Sequence, residues 1–152
     1  MPPARSFWTE VNPLWAERVL GLLRIMAGLL FLQHGLTKMF GFPGTRPPTF
    51  EFISLSGLSG AIEFVGGALV AAGLFTRVAA FIMSGEMAVA YFMAHEPRGF
   101  FPLLNGGELA ILYCFVFLYL AFRGGGAWSL DRRRAKSRLD GRSADGSVAH
   151  TP

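Results

Sequence analysis

The chain of 152 residues is 52% hydrophobic and only 16% charged, with a mean hydropathy of +0.42. Soluble domains average about 25% charged residues, so a membrane-embedded domain accounts for this composition better than a large soluble core, and the length allows one domain. The net charge of +4 is unevenly placed, and a single cysteine, Cys114, excludes an intrachain disulfide or a CxxC dithiol.

Residues 1–16 hold Trp8, Pro13 and Trp15 ahead of the first apolar run. No basic n-region abuts that run and no small-x-small site follows it, so a cleavable signal peptide is not expected. Trp8 and Trp15 read as anchors at a membrane interface. Four apolar runs follow: Glu17 to Lys38, Gly57 to Phe75, Val78 to His95, and Glu108 to Phe122. A spanning helix takes about 20 mostly apolar residues; the first run is ample, and the last two are short but extend into their flanks. GFPGTRPP separates runs one and two and EPRGFFPLLNGG separates three and four, both with the Pro and Gly that loops require. Only Thr76 and Arg77 lie between runs two and three, so that turn is tight. No run carries the wide polar face of a surface helix. The expected architecture is all-α: a polytopic membrane protein whose residues 17–130 form an antiparallel bundle of four transmembrane helices.

Beyond Asp131 the chain turns basic, with Lys or Arg at positions 132, 133, 134, 136, 138 and 142. Residues 131–152 are expected to be a basic tail, disordered from about Ala135. Arg123 and Arg77 fall on the same side, whereas the two longer loops hold Arg46 and Arg98 beside Glu51 and Glu96. The positive-inside rule then places both termini in the cytoplasm. The tail reads as an orienting element, and no nucleic-acid partner is expected.

Arg24, His34, Lys38, Glu63, Glu86, His95 and Glu108 lie within or at the ends of the four runs. Charges at membrane depth are costly and usually face the bundle interior in pairs. Counted from Glu17, Arg24 sits roughly 10 Å above the cytoplasmic end, and Glu86, counted from Arg77, roughly 13 Å. Arg24 and Glu86 are therefore expected to form a buried ion pair. His34, Lys38, Glu63, His95 and Glu108 gather in the outer third of a ~30 Å core. His34 and Lys38, at i and i+4, share a helix face. Asn105 is placed to cap the fourth helix, whose N-terminal dipole favours the Glu108 carboxylate. With Asn105, these five form the expected ligand pocket, beside the aromatic loop Phe100-Phe101-Pro102. Small residues, including Gly21 and Gly28 on the first run and Gly60, Gly67 and Ala71 on the second, allow close helix approach.

Three stretches carry a resemblance. RIMAGLLFLQHGLTKMFGFPG, GAIEFVGGALVAAGLFTRVAA and EMAVAYFMAHEPRGFFPLLNGGELAILYCFVFLYLAFRGGGAWSLD together resemble the DoxX family, from about Leu20 to Asp131. The elements HG-x2-K, EFVGG, TR, MAVAYF-x2-H, P-x2-NGGE and GGG-x-WSLD occur in the family's order. The resemblance implies a four-helix protein of the bacterial inner membrane linked to respiratory or redox chemistry, since relatives include the membrane subunit of an archaeal thiosulfate:quinone oxidoreductase. Arg24, His34, Lys38, Glu63, Arg77, Glu86, His95, Asn105, Gly106, Gly107 and Glu108 stand at motif positions, and no catalytic role is carried onto them.

Three functions fit these features. In a quinone-linked subunit of a membrane oxidoreductase, the outer cluster holds the quinone head group, and His34 or His95 with Glu63 or Glu108 exchanges its protons. The chain has no flavin motif and no iron–sulfur cysteine set, so electrons come from a redox partner protein or a bound cofactor. Haem is disfavoured, because Lys38 and two carboxylates make a poor apolar haem pocket, and no close-spaced ligand motif marks a metal site. The alternatives are a non-enzymatic scaffold or receptor for soluble redox or detoxification proteins, and a transporter of a small solute. A homo-oligomer is compatible with each.

Overall fold

The computed structural model describes residues 12–44 and 54–148, with the side chains of 141–148 excepted. Trp8, Arg46 and Glu51 lie outside the described residues. Helix α1 runs Pro13–Phe40, α2 Leu55–Ala72 and α3 Thr76–Ala90. A π-helical turn, Tyr91–His95, and a 3-10 turn, Glu96–Arg98, extend α3. The short α4, Pro102–Asn105, leads into α5, Glu108–Arg123, and α6 spans Leu130–Val148. All three of the longer apolar elements, Pro13–Phe40, Leu55–Ala72 and Thr76–Arg98, are long and apolar enough to cross a membrane. The fourth run forms α5 as expected but has 16 residues, short of a full span.

Local chemistry explains the ends. The Asn12 side chain accepts the N–H of Leu14 at the start of α1, and Pro13 stands where its missing N–H costs nothing. The Ser54 hydroxyl does the same for α2 through the N–H of Gly57. Gly41 and Gly73 close α1 and α2 in the left-handed conformation that favours glycine. Helix α3 is capped from a distance. The Asp131 carboxylate accepts the N–H groups of Phe75 and Thr76 and the Thr76 hydroxyl, each at 2.9 Å. Burial pushes the Asp131 carboxyl up, but the N–H of Thr76, that of Phe75, the Thr76 hydroxyl and Arg134 together hold it below its ordinary value.

The α1–α2 contact is set by small residues seven apart. A Cβ added at Gly28 would lie 2.5 Å from the backbone nitrogen of Ala71, and one at Gly67 2.6 Å from that of Leu32. The two backbones therefore touch, as small-residue seams permit in lipid. The apolar core is Leu20, Ala27, Phe31, Val70, Ala79, Ala80, Met83, Met87, Ala110, Phe117 and Leu120. Leu22, Val65, Phe81, Ile82, Val89, Leu112 and Phe115 point outward and are exposed. Such an apolar exterior on α1, α2, α3 and α5 fits a hydrocarbon surround.

The basic tail departs from expectation. Instead of losing order near Ala135, it continues α6 to Val148. Arg, Lys, Ala and Leu are strong helix formers, and the Asp131 carboxylate in its first turn favours the helix dipole. Side chains 132–140 are exposed.

Candidate functional site

Arg24 is completely buried, and its fork meets backbone carbonyls rather than a carboxylate. Its Nε donates to Gly125 at 2.8 Å and Nη1 to Val70 at 2.7 Å and to Ala71, with Ala127 3.5 Å from Nη2. Two of these carbonyls end α2, where the helix leaves its C=O groups without partners. Arg24 thus ties α1 to the end of α2 and to the glycine-rich link after α5. The expected Arg24–Glu86 pair is corrected. Arg24 stands level with Gly73, a hypothetical Cβ of which would lie 2.9 Å from Nη1, whereas Glu86 lies ten residues into α3, about 15 Å further along. Counting Arg24 from Glu17 misjudged its depth, because α1 runs on past the end of α2, which lies level with Arg24 rather than with Glu17.

Glu86 belongs to another cluster. Lys38 Nζ, from the last turn of α1, donates to Glu63 Oε1 and to Ser59 Oγ, both at 2.7 Å. The Ser59 hydroxyl in turn donates to Glu86 Oε1 at 2.7 Å. Ser59 and Glu63 are one turn apart on α2, so they share a face. The side chain of Glu63 is 4% exposed and that of Lys38 36%. The second oxygens, Oε2 of Glu63 and of Glu86, are buried and accept no hydrogen bond among the described residues. Three helices thus direct one ammonium, one hydroxyl and two carboxylates into a single network. A charge left alone at this depth would cost several kcal/mol or more, so the network is an expensive feature for mere packing.

The other expected residues are not joined to it. The exposed His34 turns its ring edge-on to Phe31 and Tyr113 at 6.4 and 6.2 Å. His95 Nδ1 lies 3.1 Å from the carbonyl oxygen of Asn105, and its ring stacks on Tyr91. Asn105 is buried; its amide donates to the Gly99 carbonyl at 2.7 Å, and its oxygen accepts the N–H of Gly107 at 2.8 Å. It closes the turn ahead of α5 rather than capping the helix's own first N–H groups. Glu108 is exposed at the head of α5 and makes no ion pair among the described residues. Of the five side chains expected to enclose one pocket, only Lys38 and Glu63 meet. Helix ends explain this: His95 and Glu108 are held in the α3–α5 connection by its own turn bonds.

Sequence reasoning overlooked Ser59 and misplaced Glu86. A signal was present. Glu63 is nine residues before the end of α2 and Glu86 ten residues after the start of α3, so a tight antiparallel hairpin sets them level. Among the described residues no three His, Cys, Asp or Glu side chains gather as a metal set.

The fold and this site define a polytopic helical membrane protein with a Lys–Ser–Glu–Glu network between three helices. Residues 19–96, which hold all four network residues, match the DoxX family, and the chain belongs to that family. An uncharacterized protein of Haemophilus influenzae is 44% identical over 75% of this chain and 89% of its own length. CatD of Bacillus subtilis, named as a candidate oxidoreductase, is 29% identical over 79% of this chain and 90% of its own. The inner membrane protein YqjF of Escherichia coli is 30% identical over 72% and 86%, respectively. No solved structure matches the chain.

Proposed function

We infer that the protein is a quinone-linked subunit of an inner-membrane oxidoreductase complex, with α1, α2, α3 and α5 as four antiparallel spans and both termini cytoplasmic. The Lys38–Glu63–Ser59–Glu86 network carries this reading. A lysine partly open to the surface leads to the buried Glu63 and the half-buried Glu86, each with a buried oxygen that accepts no hydrogen bond among the described residues, which suits a polar head group that gains and loses protons. The names of CatD and YqjF support an inner-membrane redox setting. Helix α5 reaches across if its flanks, including α4, take part in the span. Reducing equivalents come from a partner protein or a bound cofactor.

The test is binding of a soluble quinone analogue to the purified full chain in lipid nanodiscs, followed by tryptophan and tyrosine fluorescence. Saturable quenching is expected, with affinity falling at least tenfold in Glu63→Gln and Lys38→Met. Quenching that does not saturate, or that both variants retain unchanged, would remove the quinone reading. A second reading, a scaffold for a soluble acidic protein, is favoured by α6, whose Arg132, Arg133, Arg134, Lys136 and Arg138 are exposed.

A further inference from the structure

We propose that the Lys38–Glu63–Ser59–Glu86 network is a proton-binding site that holds one exchangeable proton on Glu86. The inference needs α1, α2 and α3 to lie in the membrane, and it stands apart from whether a quinone binds.

The charge count comes first. One ammonium faces two carboxylates, so with all three groups ionised the network carries one uncompensated negative charge in an apolar surround. Two carboxylates in one such site do not both ionise cheaply, and a buried carboxylate without full compensation is far more costly than a buried neutral carboxyl. One added proton makes the cluster neutral.

Geometry then says where the proton goes. Glu63 receives the Lys38 ammonium directly at 2.7 Å, and an ion pair of that length keeps its carboxylate charged. Glu86 receives only the neutral Ser59 hydroxyl, also at 2.7 Å. Protonation forms an O–H bond at Glu86 Oε2, the oxygen with no hydrogen-bond partner among the described residues, while Oε1 continues to accept from Ser59. Deprotonation returns the proton to solvent, and no electron moves. Glu63, itself 96% buried by its 4% exposure, has its Oε2 unpartnered beside the same site. The charged groups that face Glu86 are Lys38 from α1 and Glu63 from α2. On α5, packed against the same helix, Glu108 and Arg123 sit at the two ends, so none balances it from that side. Lys38, with 36% of its side chain exposed, connects the network to the surface at the end of α1, and Ser59 bridges it to Glu86.

Infrared spectroscopy of the full-length protein in nanodiscs reads this directly, because a protonated carboxyl has its own C=O stretch that shifts in D2O. Apart from Glu63 and Glu86, the carboxylates whose side chains are described are exposed or half-exposed. The wild type is expected to show one such band at neutral pH, lost reversibly on alkaline titration. Glu86→Gln should abolish it. Glu63→Gln should abolish it as well, since Glu86 then balances Lys38. Lys38→Met should double it. A wild type with no band at neutral pH would overturn the proposal, and that measurement needs no variant to fold. So would a band that survives both glutamine variants. A band without saturable quinone quenching upholds the proton site and removes only the quinone reading; quenching without a band does the reverse.

Discussion

Replacing Arg24 and Glu86, singly and together, separates the observed arrangement from a buried ion pair. Arg24→Met removes three close bonds, to Gly125, Val70 and Ala71, while the Val70 carbonyl keeps the Gly73 N–H at 3.0 Å. Interhelical hydrogen bonds in membranes are worth about 0.6 kcal/mol on average and up to ~1.7 each, so the loss comes to about 2–5 kcal/mol. Arg24→Lys keeps the charge but not the planar fork that reaches several carbonyls at once, so it should recover only part of that stability. Glu86, about 15 Å along α3, shares no partner with Arg24. Sites more than ~7–10 Å apart add within about 0.5 kcal/mol, and the Arg24→Met/Glu86→Gln cycle should therefore show no coupling. The Lys38→Met/Glu63→Gln cycle, across a 2.7 Å contact, should show coupling of about 0.5–3 kcal/mol. Unfolding of the full-length protein in mixed micelles, followed by circular dichroism, supplies the four free energies of each cycle. Coupling above ~1 kcal/mol between Arg24 and Glu86 would refute the assignment of Arg24 to the carbonyls.

Gly28→Ala should cost about 1–3 kcal/mol, since its methyl meets the backbone at Ala71, which cannot move aside as a side chain would. Gly85→Ala, with nothing within 4 Å of its added carbon, should instead raise stability by up to about 1 kcal/mol; the same micelle assay compares them. Asp131→Ala should lower stability by about 0.5–2 kcal/mol through loss of the α3 cap. Because the folded Asp131 carboxyl lies below its ordinary value of 3.8, its contribution is present above that pH and lost as pH falls through the lower folded value. An acid titration in which wild type and Asp131→Ala stay equally far apart down to the lowest pH reached would contradict this. Reporter fusions after residue 45 and after residue 100 should both map outside the cytoplasm; an inside signal at either would refute the four-span topology.

Much of the helical framework is determined by the sequence alone. Apolar runs leave the backbone no solvent partner in hydrocarbon, so helices with internal hydrogen bonds form wherever those runs occur. The glycines at 21, 28 and 35 repeat every seven residues, which marks one close-approach face of α1 before any partner is known; Gly28 and Gly35 meet α2, and Gly21 meets Ala127 and Trp128. The expense of ionisable groups at depth likewise singled out Arg24, Lys38, Glu63 and Glu86 as residues that must be satisfied. Their partners were decided only by tertiary structure. A residue advances about 1.5 Å and 100° along a helix, so taking Glu17 as level with the helix ends set Arg24 about 10 Å too deep, when it stands level with Gly73 at the end of α2. The tight α2–α3 turn sets Glu63 level with Glu86, and the α1–α2 seam brings Lys38 beside both Ser59 and Glu63. His95 and Asn105 were captured by a turn whose bonds run between backbone and side chain over ten residues or fewer. Hydropathy and charge say which groups need partners; the register and rotation of packed helices choose them, because hydrogen bonds and ion pairs act over ångströms and one residue of slip is enough to break them.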